Sequence, residues 1–406
     1  MSSRLRRALD RLGRPFGEGE RLSRLHPLYE AIDTVFYSPG KVTRTAPHVR
    51  DGIDLKRMMG LVVIALIPCI LMALYNTGYQ AQLAIAQGAS PLDDWRTGLY
   101  TGLGLPFDRT NPLLCLVHGA LYFVPVLLVT FVVGLGVEIV FAVIRRHEVS
   151  EGFFVTGMLI PLILPPAIPL WQVALGTAFG VVFAKEIFGG TGMNFLNPAL
   201  VVRAFLFFAY PAEISGDTAW IAADFGGLDN LTGATLLAQA STATAALEGA
   251  SWTQAFLGVI PGSMGETSAL ACLVGAVILL VTQIGSWRTM VGVTLGTFAM
   301  AALFNWLGSA SNPMFGVPFH WHIVLGGWAL GTVFMATDPV SSAFTDRGKW
   351  WYGFGIGVLC ILLRVVNPAY PEGMMLAILF MNMLAPLIDH FVVRGNIRRR
   401  EARDAA

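Results

Sequence analysis

The string Thr232-Gly233-Ala234-Thr235 lies in a polar stretch between two blocks of apolar sequence. A threonine displayed among small residues outside a bilayer is a suitable acceptor for a covalently attached group, because nothing crowds its hydroxyl. From Ala204 to Trp287 there is no Lys or Arg. No local charge would therefore hold a free phosphate, whereas a phosphoester on Thr235 would need none. The loop suits a tether better than a pocket. A second string, Ser241-Thr242-Ala243-Thr244, lacks the glycine and is the second choice for attachment.

A different chemistry is suggested by Phe188-Gly189-Gly190-Thr191-Gly192-Met193-Asn194-Phe195-Leu196-Asn197-Pro198. Two amides three residues apart, with glycines giving close backbone access, can read the donor and acceptor edge of a planar heterocycle such as an isoalloxazine ring. A plain turn in which Asn197 caps the helix opened by Pro198 is the competing reading.

Ionisable side chains within apolar spans are costly, which makes Glu138, Lys185, Glu186, Arg203, Asp338, Arg364 and Asp389 functional candidates. Lys185 and Glu186 fall near a span end, where snorkelling to the interface is the alternative. Arg203 and Arg364 lie towards the opposite side and call for a carboxylate or cofactor partner. Glu138, Asp338 and Asp389 offer the hard oxygen ligands that Na⁺ or a relayed proton requires; for each, the alternative is a helix-end acid in interfacial water. His320 and His322 flank Trp321 two positions apart and do not share a helix face, so an interfacial aromatic belt accounts for them. Cys69, Cys115, Cys272 and Cys360 stand singly in apolar sequence, without the paired spacing of a zinc or iron–sulfur site. No metal site is expected from this chain alone.

These groups must be positioned by membrane helices. The chain has 406 residues, 55% hydrophobic and 13% charged, with a mean hydropathy of +0.63, too apolar for one soluble core. The expected class is all-α and polytopic. Apolar runs give about ten spans, near 59–77, 113–143, 153–168, 169–188, 197–212, 265–283, 290–307, 321–338, 351–367 and 373–393. Pro161, Pro165, Pro166 and Pro169 interrupt the third, which reads as a broken or re-entrant segment.

The Arg-rich start has no apolar region of a signal peptide behind it. The positive-inside rule puts both termini in the cytoplasm, because Arg145, Arg146, Arg288, Arg347, Lys349 and the cluster from Arg394 to Arg403 then share one side. The domains expected are a cytoplasmic segment 1–57, five spans in 58–212, an outer loop 213–264 bearing Thr235, five spans in 265–393, and a basic tail 394–406. Leu-Gly-Thr recurs at 175–177, 295–297 and 330–332, as a duplicated five-span unit or as small-residue packing that recurs independently.

Taken together, the chain resembles the B subunits of sodium-translocating NADH:quinone oxidoreductases. The resemblance runs through His26-Pro27-Leu28-Tyr29-Glu30, His48-Val49-Arg50-Asp51, Asp54-Leu55-Lys56-Arg57 and Glu148-Val149-Ser150-Glu151-Gly152-Phe153-Phe154-Val155-Thr156. It continues through the glycine and asparagine cluster, Met335-Ala336-Thr337-Asp338-Pro339-Val340, and the string from Val366 to Met375. It implies FMN in phosphoester linkage to Thr235, installed by a flavin transferase, with Thr232 where the family usually has Ser. It also implies a non-covalent riboflavin at Asn194 and Asn197. Quinone reduction is implied near Gly134-Leu135-Gly136, where Leu135 replaces the second glycine of a family pair. Sodium uptake is assigned by the same resemblance to Glu30, Glu138, Asp338 and Asp389.

The function so implied is a relay of electrons from FMN through riboflavin to ubiquinone, coupled to Na⁺ export across a bacterial inner membrane, in company with the other subunits of the complex. No nucleic-acid partner is implied. Two rivals stand beside it: the related D subunit of the ferredoxin-linked Rnf complex, against which the long N-terminal extension argues, and a redox-inactive channel or transporter for a small solute.

Overall fold

The protein is seen here as a computed structural model that describes residues 11, 13–16, 55–145, 152–217, 219–226, 233–243, 245–367 and 372–404. Its principal helices are α1 (Leu55–Ala86), α2 (Trp95–Gly102), α3 (Pro112–Arg145), α4 (Phe153–Leu162), α5 (Leu170–Ala184), α6 (Pro198–Ala209), α7 (Leu236–Thr242), α8 (Ala269–Val281), α9 (Trp287–Leu307), α10 (Asp346–Val366) and α11 (Met374–Asp404). The only strands among the described residues are two-residue pieces, β1 (Ser90–Pro91) and β2 (Ala223–Asp224), paired antiparallel with Ser90 opposite Asp224. The chain is thus an all-α, multi-pass membrane protein.

Six helices among the described residues are long and apolar enough to cross a membrane: α1, α3, α5 with its continuation to Phe188, α9, α10 and α11. Four of the ten expected spans are not full-length helices. The third, fifth and sixth appear as α4, α6 and α8, of 10, 12 and 13 residues. At 1.5 Å per residue, twelve residues cover about 18 Å, well short of the ~30 Å hydrocarbon core. The cause for α4 and α6 is local. Proline closes α4, while Asn197-Pro198 opens α6 and Tyr210-Pro211 starts a new turn at its end.

Breaks inside a bilayer leave carbonyls that need donors. At the end of α4, the amide of Gly265 donates to Leu162 O at 2.7 Å and that of Met264 to Leu164 O at 3.1 Å. Gly265 is required there, since a Cβ would lie 2.3 Å from Leu162 Cδ2. The eighth span is broken differently. A single turn at Phe319–His322 gives way to Gly326, whose φ of +63° suits glycine, and the chain resumes at Trp328–Leu330 with a π turn over Gly331–Met335. Here a side chain supplies the donors: Arg364 Nη1 donates to His322 O at 2.7 Å and Nη2 to Leu325 O at 2.8 Å.

Part of the packing recurs in the two halves. In the first, α3 lies against α5 and α5 against α6; in the second, α9 lies against α10 and α10 against α11. Across the halves, α1 meets α8 and α6 meets α11, first span to first and last to last. This pairing of like-numbered spans is compatible with two five-span units. The Leu-Gly-Thr strings do not mark this relation, because they fall in the fourth, seventh and eighth spans. Their glycines are packing sites. A Cβ on Gly296 would lie 2.2 Å from Phe354 O, and one on Gly357 would lie 2.2 Å from Val293 O, so α9 and α10 touch backbone to backbone. Cys69 and Cys272, isolated in sequence, meet where α1 crosses α8, with sulfurs 3.8 Å apart.

Candidate functional site

Thr235 is the N-cap of α7, and its Oγ1 accepts a hydrogen bond from the amide of Ala238 at 3.2 Å. Gly233 allows the chain to reach this position, since a Cβ there would lie 2.2 Å from Asp217 O. The half-buried hydroxyl is thereby held in place. In the second-choice string, Ser241 Oγ and Thr242 Oγ1 instead donate back to the carbonyls of Ala238 and Gln239 of their own helix. Thr232 and Thr244 lie outside the described residues.

Thr235 lines a small cavity of about 20 Å³ that also touches Ser263, Glu266, Thr267 and Glu372. Its floor is charged. Arg203, from the middle of α6, bonds to Glu266 Oε1 at 2.5 Å and to Glu372, while Arg364 Nε donates to Glu372 O at 3.0 Å. Arg203 and Arg364 thus find the carboxylate and carbonyl partners that burial demands. The absence of Lys and Arg from 204 to 287 does not leave Thr235 remote from cations, because other helices bring two of them in, already neutralised.

At the other end of α6 the structure gathers most of the remaining candidates. A cavity of about 50 Å³ is bordered by Lys185, Thr191, Asn194, Asn197, Phe334 and Asp338. Lys185 does not snorkel: it is buried and paired with Glu138, and Glu186 beside it is buried as well. The α-helix ends at Ala184, just before Lys185, and a 3-10 turn follows over Glu186–Phe188. Asn197 Oδ1 caps α6 by accepting from Ala199 N at 3.0 Å and Leu200 N at 3.3 Å. Asn194 Nδ2 donates to Leu196 O at 3.1 Å. The capping reading of this turn is therefore met, and each amide keeps one end for another partner. The polar lining matches a flavin edge in chemistry. At about 50 Å³ the cavity is far below the ~300 Å³ of a small-molecule site, so it does not admit the ring as it stands.

Gly134 and Glu138 share the buried face of α3. A Cβ on Gly134 would lie 1.9 Å from Phe153 Cζ, and Lys185 Nζ stands 6.0 Å from the centre of the same ring. Gly136 faces open space and Leu135 is half-buried between them. Asp338 borders the cavity and accepts from Ser341 Oγ at 2.6 Å. Asp389 lies apart from it. Its carboxylate accepts from Phe344 N at 2.7 Å, Thr345 N at 3.0 Å and Thr345 Oγ1 at 2.5 Å, which fixes the N-cap of α10. Glu30 falls outside the described residues. Glu266, Glu372 and Ser263 escape a reading of the sequence alone. Glu372 lies within the string from Val366 to Met375, and Glu266 opens a span, but nothing local marks either as a partner of Arg203.

A model of the NQR2, RnfD, RnfE family matches residues 42–398. The B subunit of a Na(+)-translocating NADH-quinone reductase from Pseudomonas aeruginosa (strain LESB58) is 57% identical over 403 residues, covering 98% of this chain and 99% of that protein. Proteins of the same description from Chromohalobacter salexigens and Azotobacter vinelandii are 56% and 54% identical, over 99% and 98% of this chain and 97% and 99% of theirs. With the match spanning both broken spans and both clusters around α6, this chain belongs to the NQR2, RnfD, RnfE family, among the B subunits of Na⁺-translocating NADH-quinone reductases.

Proposed function

We propose that this chain is the membrane subunit through which an NADH:ubiquinone reductase couples electron transfer to Na⁺ export across a bacterial inner membrane, with both termini in the cytoplasm. The observation that carries the reading is the setting of Thr235, whose hydroxyl is fixed by the α7 N-terminus above a neutralised charge cluster. FMN in phosphoester linkage to that oxygen, riboflavin and the quinone supply the electron-carrying chemistry when bound. The partners are the other subunits of the complex, a flavin transferase that modifies Thr235, ubiquinone and Na⁺. Identity above 50% along the full length to reductase B subunits favours this assignment over an Rnf-type, ferredoxin-linked one.

The chain's own residues divide the work. Gly233 and the N-cap hold Thr235; Asn194 and Asn197 offer one free end of each amide for riboflavin, at a cavity that must widen to receive it. Gly134, Leu135 and Gly136 form the helix face assigned to the quinone. Glu138 and Asp338 are the carboxylates of the ion path nearest that cavity. A cation reaching Glu138 must displace the Lys185 ammonium, so any change that weakens this pair favours cation entry. Asp389 acts on the same path from the α10 N-cap, and Glu30 completes the set.

The test is direct. The full chain matured with the transferase should give a band that fluoresces under ultraviolet light on a denaturing gel, and Thr235→Val should abolish it. Mass analysis of the peptide spanning 204–287, with and without the transferase, should locate the added group on Thr235. Full fluorescence in Thr235→Val overturns the assignment.

A further inference from the structure

The start of α10 lies beside the later turns of α11, and the groove between them combines two arginines with an apolar wall. Arg347 and Trp351 stand four residues apart on one face of α10, while Ile388, Phe391, Gly395 and Arg399 follow one another along one face of α11. They border a cavity of about 620 Å³, within the roughly 300–1,000 Å³ typical of small-molecule sites. No Asp or Glu lines it.

The arginines are not spent on carboxylates. Asp346, the neighbour of Arg347, pairs with Arg288 of α9 at 3.2 Å, and Arg347 itself has no ion pair with a described residue. Arg399 donates from Nε to Gly395 O at 3.2 Å and from Nη2 to Asn396 Oδ1, both neutral groups of its own helix. Asp389, next to Ile388, is committed to the N-cap of α10. Two positive charges thus line the groove without an anion.

The apolar wall is equally open. Trp351 is 67% and Phe391 61% exposed. A Cβ on Gly395 would meet nothing within 4 Å, so the helix backbone is approachable between Phe391 and Arg399. At the same end of the bundle Trp287 and Trp350 pack edge to face, ring centres 5.6 Å apart. Tryptophans gathered in this way mark the level of the lipid headgroups.

A soluble anion would use the arginines and leave the aromatic wall in water. A neutral apolar molecule would cover the wall and leave two cations unpaired. A phosphate diester on an acyl chain uses both, because the arginine fork matches phosphate oxygens and basic pockets between membrane helices receive phosphorylated headgroups. With no carboxylate in the lining to receive a choline or ethanolamine cation, net-negative headgroups are favoured. We propose that the groove between α10 and α11 binds an anionic phospholipid, its phosphate held by Arg347 and Arg399 and an acyl chain laid along Trp351, Ile388 and Phe391.

Quenching of tryptophan fluorescence by brominated lipids, with the full chain in phosphatidylcholine vesicles, tests it. The signal of interest is the part that Trp351→Phe removes. Brominated phosphatidylglycerol should quench this signal at a several-fold lower mole fraction than brominated phosphatidylcholine, since an arginine beside an anionic headgroup is worth about a factor of five in binding. Arg347→Gln combined with Arg399→Gln, both at exposed positions, should bring the two lipids together. Gly395→Leu, which fills the groove and keeps both arginines, should do the same. Arg398→Gln combined with Arg403→Gln removes equal charge from residues outside the lining and should preserve the preference. Equal quenching by the two lipids in the wild type, or equal loss in both double variants, would reduce the groove to ordinary bilayer contact and overturn the proposal. It also falls if inorganic phosphate restores the wild-type signal, which makes the ligand a soluble anion. Shielding of Trp351 from both lipids in the assembled complex would give the groove to a neighbouring subunit instead.

Discussion

The buried charges at the two ends of α6 join different things. Lys185 and Glu138 both belong to the first half of the chain, one at the end of α5 and one on α3, and they form an ion pair. Arg203 instead takes Glu266 from the segment before α8 and Glu372 from the segment before α11. One guanidinium thus ties the first half to both ends of the second. The Lys185–Glu138 pair lies within one half, whereas the Arg203 network joins the two. Asn197, which borders the same cavity as Lys185, and Arg203 are six residues apart on α6, about 9 Å of helix rise, so this short helix runs from the pair to the tie.

The largest effect should come from Arg203→Met, which strands two buried carboxylates. Breaking a buried pair by removing one partner costs about 3–5 kcal/mol, and here two pairs go at once. The variant should lose most of its folded yield in detergent, and adding Glu266→Gln and Glu372→Gln should recover part of it. Wild-type melting in Arg203→Met would show that the halves are held without this tie.

Lys185→Met should cost less, because it breaks one buried ion pair rather than two. Its double variant with Glu138→Leu should melt closer to wild type than either single change predicts. The sharper measurement is ionic. At equal ionic strength, NaCl should raise the melting temperature of Lys185→Met over KCl by more than it does for the wild type, since a cation can then occupy the vacated carboxylate. An identical salt response in the two proteins would remove Glu138 from the ion path.

Much of this contrast was not legible in the sequence. The Thr235 string, the proline breaks around α4 and the cap at Asn197 announced themselves through residue type and local spacing. The partners of the buried charges did not, since Glu138 lies 47 residues from Lys185 and Glu372 lies 169 from Arg203. Periodicity gives a helix face but not the helix opposite it. The eighth span looked continuous because its break uses Gly326 rather than proline and is healed by Arg364 from another helix. Lys185 stood open between a functional role and snorkelling to the interface, because hydropathy counts position along the chain and not the Glu138 partner that another helix supplies.

The smallest expected effects separate the two aspartates. Asp338 borders the cavity at Asn197 and accepts from Ser341 Oγ at 2.6 Å and from Val340 N at 3.4 Å, whereas Asp389 spends its carboxylate on two amides and a hydroxyl at the start of α10. Asp338→Asn removes a charge from the path, and a loss of about 1.4 kcal/mol in cation binding would raise the half-saturating Na⁺ concentration for turnover roughly tenfold. Asp389→Asn keeps the shape and one acceptor, so it should cost about 1 kcal/mol of stability through a weakened cap, with a smaller change in sodium dependence. Measuring Na⁺ titrations and melting curves on both variants assigns each role. A larger sodium shift from Asp389 than from Asp338 would move the ion path away from the cavity and onto the α10 N-cap.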